Sequence, residues 1–324
     1  MKKISLALLA LVCGLAVIGC GKKQRVTELP MQVLKNDTTW SGVVIADGDI
    51  YVPPGVVLTI KPGTVIKFKR IDENSDQNMF GVKAPYYPEA ELIVRGRIIA
   101  KGTAQKNIVF TSAESNARPK DWGAINLLGS KKNIIDHCKI LFAYNGVHSH
   151  GAEAVISNSE LAKNGVGISF KQEDESPDVP WYGEKSSLKI FHNRIYNNKG
   201  GIGFRNSIAE ISHNLIENNK FFGIFPKEEA DAEISYNEIT GNKKGIYLYQ
   251  TRKMVIDHNN IYDNTDYNVA VAEAQDFDVK AANNWFGTIN SKKIDEMIFD
   301  KHDDKDLGEV VYKPFLLKRI NWDK

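Results

Sequence analysis

The sequence is poor in cysteine, in net charge and in long amphipathic runs. Three cysteines occur in 324 residues, and two of them, Cys13 and Cys20, fall in the first twenty. Cys138 is left alone, so no internal disulfide can staple the body of the chain. The formal charge is only +2, and Lys2 and Lys3 account for it. Without them acids and bases balance, which removes the general basic field that would draw nucleic acid. No ten-residue stretch keeps one apolar face at helical spacing, and this excludes helical repeats. The longest apolar run, Ile4 to Ile18, is too short for a comfortable membrane span.

A basic start, that apolar run and then Val17-Ile18-Gly19-Cys20 have the layout of a signal peptide over residues 1–19. The four-residue end resembles the lipobox of bacterial lipoproteins. The resemblance implies cleavage before Cys20 and acylation of Cys20 on its sulfur and its amine. Each buried methylene then contributes roughly 0.8 kcal/mol to anchoring. An ordinary secretory signal ending in cysteine is the alternative. A lipidated tether is expected over residues 20–36. Gly21, a non-Asp residue after the cysteine, implies an outer-membrane address if the source has two membranes.

What the chain does have is a repeat. "SLKIFHNRIYNNKGGIGF" (187–204) recurs as "AEISHNLIENNKFFGIF" (209–225), "AEISYNEITGNKKGIYL" (232–248) and "MVIDHNNIYDNTDYNVAV" (254–271), with weaker copies from Asn133 and Ala154. One slot holds Cys138, Ser159, Asn193, Asn214, Asn237 and Asn259, at gaps of 21, 34, 21, 23 and 22. A period near 22 built from short β-branched pieces, Gly and Asn reads as a solenoid with three short strands per coil. Coils about 4.8 Å apart would pair their strands in parallel. Three inward columns follow: Ile190, Ile211, Ile234 and Ile256; Ile195, Ile216, Ile239 and Ile261; Ile168, Ile202, Ile224 and Ile246. At a dry corner an unpaired backbone group costs roughly 1–3 kcal/mol. An inward Asn supplies both donor and acceptor, so Asn193, Asn214, Asn237 and Asn259 are expected to form a structural ladder.

This pattern resembles the right-handed parallel β-helix repeat family of pectate-lyase-like architecture, across residues 37–287, with residues 288–324 as a C-terminal cap. The fold class expected is therefore all-β, a single-stranded right-handed parallel β-helix. Members include lyases, hydrolases, epimerases and non-catalytic proteins, so the resemblance implies no single activity.

Function is sought where the period breaks. Aligning "GTVIKFK" (63–69) with "GVGISFK" (165–171) places the insertions 70–89 and 172–186 at one corner, where they could meet. A third insertion, 112–121, is assigned to another corner. Tyr86, Tyr87, Trp181 and Tyr182 in the first two could stack on sugar rings, or could simply shield the solenoid. An outward stripe of Lys67, Asn126, His148, Ser169, Gly203, Phe225, Tyr247 and Ala270 would form a shallow trough, with Phe225 and Tyr247 at its aromatic end. In family enzymes such a face carries the polysaccharide. The stripe holds no Asp or Glu, and "HSHG" (148–151) shows no acid partner, so catalytic residues are not assigned. His137, His192, His213 and His258 share one column. Resemblance to the copper-associated β-helix proteins of nitrous oxide reductase maturation implies a metal there. Asn158 and Tyr236 in the same column favour plain stacking instead. "DKHDDKD" (300–306) reads as a solvated loop.

The expectation is a monomeric, lipid-anchored envelope protein without cofactor or metal. It would bind a polysaccharide or another envelope component through the trough and the aromatic loops. The competing reading is a polysaccharide lyase, hydrolase or epimerase acting in the same trough.

Overall fold

The computed structural model describes residues 25–81 and 83–321. The expected signal peptide and Cys20 lie outside these residues. Three parallel β faces wind along one axis. One is a nine-stranded sheet running from Thr38–Trp40 through Ser187–Phe191 to Lys253–Asp257. The other two are a short face, with strands such as Arg194–Tyr196, and a long face, with strands such as Gly200–Arg205. Every strand pairs in parallel with its equivalent one coil away; for example Ile190 pairs with Ile211, Ile195 with Ile216, and Ile202 with Ile224. The all-β parallel solenoid expected from the repeat is thus the fold. The three isoleucine columns are buried from end to end.

The corners explain the spacing. The nine-stranded sheet meets the short face at His137, Asn158, His192, His213, Tyr236 and His258, all left-handed with φ between 49° and 57°. Each such residue costs roughly 1–2 kcal/mol of backbone strain. The next residue turns inward and offsets that cost. Asn193 Nδ2 donates to Ile156 O (2.9 Å) and to Asn214 Oδ1 (3.0 Å), and Asn193 N donates to the same oxygen (3.0 Å). Asn214, Asn237 and Asn259 repeat the pattern, and Asn284 ends it. A second ladder at the next corner joins Asn164, Asn198, Asn219, Asn242 and Asn264. It leaves no room for a Cβ on the following strand. At Gly201 a methyl would lie 2.2 Å from Gly223 O and 3.2 Å from Asn219 Nδ2.

The N-terminal domain limit moves. Residues 26–33 are not tether: Val26–Val33 pairs with Val43–Val52 from Val26↔Val43 to Val33↔Tyr51. This strand covers the apolar edge of the first coil, and Pro30 blunts its outer side. Residues expected to form the C-terminal cap are bonded into the end of the solenoid. Ile298–Phe299 extends the long face beside Val269, and Val310–Val311 pairs with Val279–Lys280. The one helix among the described residues, Ser291–Asp295, sits between these additions.

The loops also differ from expectation. Val65–Phe68 is in register with Ile108–Ser112 on the short face, not with Val166–Lys171 on the long one. Insertions 70–89 and 112–121 therefore share the corner between short and long faces. Insertion 172–186 leaves the opposite end of the long face. The two long insertions nevertheless meet, because each folds over that face. Phe80, Tyr86, Val179 and Trp181 pack together there on Ile93 and Leu128.

Candidate functional site

The long face has a covered half and an open half. Outward-pointing residues Asn126, His148, Ser169, Gly203 and Phe225 are in register across five coils. Lys67 does not join them, since its partners Ile45 and Thr111 lie on the short face.

In the open half Ser169 and Gly203 present little side chain and help line a groove of about 410 Å³. Phe222 and Phe225 wall it, and Phe225 stacks on Tyr247 with ring centroids 4.6 Å apart. Along the strand ends runs a row of cations, Lys171, Arg205 and Lys227, paired in register one coil apart. Asp174 takes Arg205 at 2.9 and 3.1 Å, and Lys171 is paired with Glu175. Lys227 has no carboxylate partner among the described residues. Its Nζ lies 5.1 Å from the Phe225 ring. Burial, then the neighbouring Arg205 and Lys171, push the Lys227 ammonium below its usual range, against a weaker pull from Glu228.

In the covered half the two loops close over a chain of polar groups. Asn145 Nδ2 donates to Tyr87 Oη (2.6 Å) and lies 3.3 Å from His148 Nδ1. His148 Nε2 and His150 Nε2 are 2.8 Å apart, and His150 Nδ1 is 2.8 Å from Glu173 Oε2. Because Glu173 accepts, His150 Nδ1 carries the proton. The two Nε2 atoms share one proton, whose donor depends on the tautomer, and Asn145 Nδ2 lies against His148 Nδ1. Burial raises the Glu173 carboxyl, but the bonds from His150 and the Glu175 and Ser176 amides outweigh it and hold it at about 2. Burial, then His150 and Lys171, push the His148 imidazole well below its usual value. Beside this chain lie two buried carboxyls. Burial lifts Asp49 to about 6. Glu91 is pushed well above the carboxylate range by burial and by Asp49.

The aromatic candidates separate accordingly. Trp181 is not exposed: it is 4% accessible, lying on Ile93 and Leu128 with the Arg95 guanidinium 3.7 Å from its ring. Tyr86 stacks on Phe80 at 4.1 Å, and Tyr87 is tied to Asn145. These three shield the sheet. Tyr182 stays 51% exposed, on the outside of its loop. Phe225 lines the groove, and Tyr247 stacks on it without lining the groove itself. The acid partner of "HSHG" was missed because Glu173 lies 23 residues from His150, inside an insertion the repeat cannot align. The Lys171–Arg205–Lys227 row was missed as well. Its signal was present, one position before the turn in three successive repeats. The histidine column is a stack: His192 to His213 is 5.0 Å, His213 to Tyr236 5.2 Å and Tyr236 to His258 5.3 Å.

A family model described as periplasmic copper-binding protein (NosD) matches residues 117–298, more than half of the 324 residues. The chain belongs to the NosD family. As a NosD-family chain it falls among periplasmic proteins, in keeping with the export signal read from residues 1–19. No curated protein matches it. Among solved structures it is similar to the periplasmic alginate epimerase AlgG, at 15% identity and a TM-score of 0.44, over 86% of this chain and 73% of that one. A variant of the same epimerase matches at 14% identity and a TM-score of 0.46, with the same coverage. No chemistry is carried over from them to this NosD-family chain.

Proposed function

We propose that this chain is a lipid-anchored envelope protein that holds an acidic polysaccharide in the open trough without cleaving or epimerising it. One observation carries the reading: a ring platform, Phe225 on Tyr247, lies beside a cation row whose last member, Lys227, has no carboxylate partner among the described residues. Aromatic faces suit the apolar faces of sugar rings, and cations one coil, about 4.8 Å, apart suit a chain that bears an acid on each unit. Retention rather than turnover is favoured because every ring nitrogen of His148 and His150 is already engaged. The acids nearest the trough are engaged too: Asp174 by Arg205 and Glu175 by Lys171.

The test uses the chain from Gly21 onward, which contains every described element. It is titrated with oligomers of a uronic acid and of a neutral glucan. Saturable binding of the uronate only, lost in Lys227→Glu and in Phe225→Ala, is expected. Equal retention of both glycans would remove the acidic assignment. Cleaved or epimerised product that disappears in His148→Asn would replace this reading with the enzymatic one.

The family's description names copper, and the donor set of this chain does not fit it. All seven histidines lie among the described residues. Nowhere among those residues do three His, Cys, Asp or Glu side chains come together to hold an ion. His148 and His150 face each other, but their Nε2 atoms are hydrogen-bonded at 2.8 Å. A metal between two imidazoles at bonds of about 2.0 Å needs nearly 4 Å. The Cys138 thiol is buried, and burial pushes it well above its usual range. No step of the proposed function passes through copper.

A further inference from the structure

The corner between the short and long faces is a ridge of lysines. Lys199, Lys220 and Lys243 each follow a residue of the second ladder. They are stacked coil on coil through Lys220 N to Asn198 O (2.9 Å) and Lys243 N to Asn219 O (3.2 Å). Lys163 and Lys120 continue the line toward the N-terminal end, and all five are exposed. Like charges about 4.8 Å apart repel unless something opposes them. Among the described residues only Lys243 reaches a carboxylate, Asp266 at 3.7 Å, which it shares with Lys244 at 3.8 Å. The others lie over rings instead: Lys120 is 4.2 Å from Tyr144, Lys163 5.6 Å from Phe142, and Lys199 and Lys220 are 5.3 and 5.8 Å from Phe221. Phe221 is itself 41% exposed at the middle of the ridge.

The ridge follows the apexes of successive turns, with shallow hollows of about 270 and 410 Å³ beside Lys120, Lys199, Lys220 and Phe221. Five exposed cations and one exposed ring along a single edge suit the anionic headgroups of a lipid surface. The chain enters the solenoid on the face that ends at this ridge. Val26 is in register with Val43, Val65, Val109, Lys139 and Glu160 in turn, five coils or about 24 Å along the axis, and Lys163 is the turn residue just past the short strand Glu160–Ala162. Five residues, Gly21 to Arg25, separate Cys20 from Val26. They reach at most about 20 Å.

We propose that the lysine ridge from Lys120 to Lys243 docks the solenoid side-on to an anionic phospholipid surface, with Phe221 entering the headgroup layer. The five cations supply attraction to lipid phosphates, and the exposed ring supplies an apolar contact. Laid this way, the trough runs parallel to the bilayer. The docking rests in part on the lipid-anchor reading, but its test does not use the anchor.

The chain from Gly21 is sedimented with vesicles of phosphatidylcholine containing about a third phosphatidylglycerol, and with pure phosphatidylcholine vesicles. Binding to the anionic vesicles only, weakening as salt rises, is expected. Lys199→Glu with Lys220→Glu should weaken it by at least about 30-fold, the factor that two lysines at about 1 kcal/mol each amount to. Lys101→Glu with Lys253→Glu changes the net charge equally on the nine-stranded sheet and should leave it within about twofold. Equal loss in both pairs, equal binding to pure phosphatidylcholine, or no vesicle binding at all would overturn the proposal. So would release of the anionic vesicles by a uronate oligomer at trough-saturating concentration, because the ridge would then be a polymer site. Mass spectrometry of Cys20 in the membrane-bound chain tests the anchor separately, so the two readings can fail independently.

Discussion

Asn214 sits mid-ladder, and its replacement measures what the amides contribute. Its Oδ1 accepts from Asn193 N and Asn193 Nδ2, both at 3.0 Å. Its Nδ2 donates at 2.9 Å to Ile190 O, Ser212 O and Asn237 Oδ1. Asn214→Ala strands the buried Asn193 N–H and takes a donor from Ile190 O. At roughly 1–3 kcal/mol for each uncompensated group, the loss is about 3 kcal/mol. His213, one residue earlier, is the internal control. It carries φ 55° and only stacks on His192 and Tyr236. His213→Gly gives up the stacking and relieves the left-handed strain, so it should stay within about 1 kcal/mol of the parent. Asn214→Asp tests direction. It keeps one acceptor but sets an oxygen against three others, so its carboxyl pKa should rise in the fold. Its penalty is then full at neutral pH and shrinks as pH falls, because the protonated acid can donate. Urea unfolding of the three variants, followed by circular dichroism, reads all of this. If Asn214→Ala cost no more than His213→Gly, or if the Asp penalty did not depend on pH, the ladder would not be what stabilises the corner.

Three further outcomes follow from the covered half and the trough. The Asp49 carboxyl is lifted from 3.8 to about 6, so its protonation favours the fold. Its contribution is complete below about pH 4 and is lost as pH rises through 6, by at most about 3 kcal/mol. The stability gap between the parent and Asp49→Asn should therefore move in the parent's favour on going from pH 7 to pH 4, and a pH-independent gap would refute the burial argument. Trp181→Ala removes the ring that pins 172–186, so amides there should exchange on the order of 100-fold faster while ladder amides do not change. Unchanged loop exchange would mean the loop is held by Glu173 alone. Uronate binding should survive Trp181→Ala but not Phe225→Ala, and the opposite result would move the site under the loops.

The sequence made the repeating part of this molecule legible because one coil copies the next. Asn193, Asn214, Asn237 and Asn259 declare an inward amide, and the isoleucines beside them declare three dry columns. The ends were less legible. Val26–Val33 pairs along one edge only and has no copy to align with, so it passed for tether. The insertions were harder still. "GTVIKFK" and "GVGISFK" match as strings, yet they occupy different faces, since any inward–outward strand after a turn glycine satisfies the same pattern. The two loops meet as expected but from opposite ends of the long face, and of the two roles open to Trp181, sugar stacking or shielding, its burial fits shielding. The bond from Glu173 to His150 was out of reach. It depends on where a non-repeating loop folds back, which neither periodicity nor spacing encodes. Phe225 and Tyr247 were legible because they sit inside the period.

The trough itself can be tested most directly by hydrogen exchange of the chain from Gly21 with and without a uronate oligomer. The account predicts slowed exchange confined to Val166–Lys171, Gly200–Arg205, Phe222–Lys227 and Lys244–Leu248, the four strands that carry the cation row and the ring platform. Protection at residues 70–89 and 172–186 instead, or none anywhere at a saturating concentration, would contradict it.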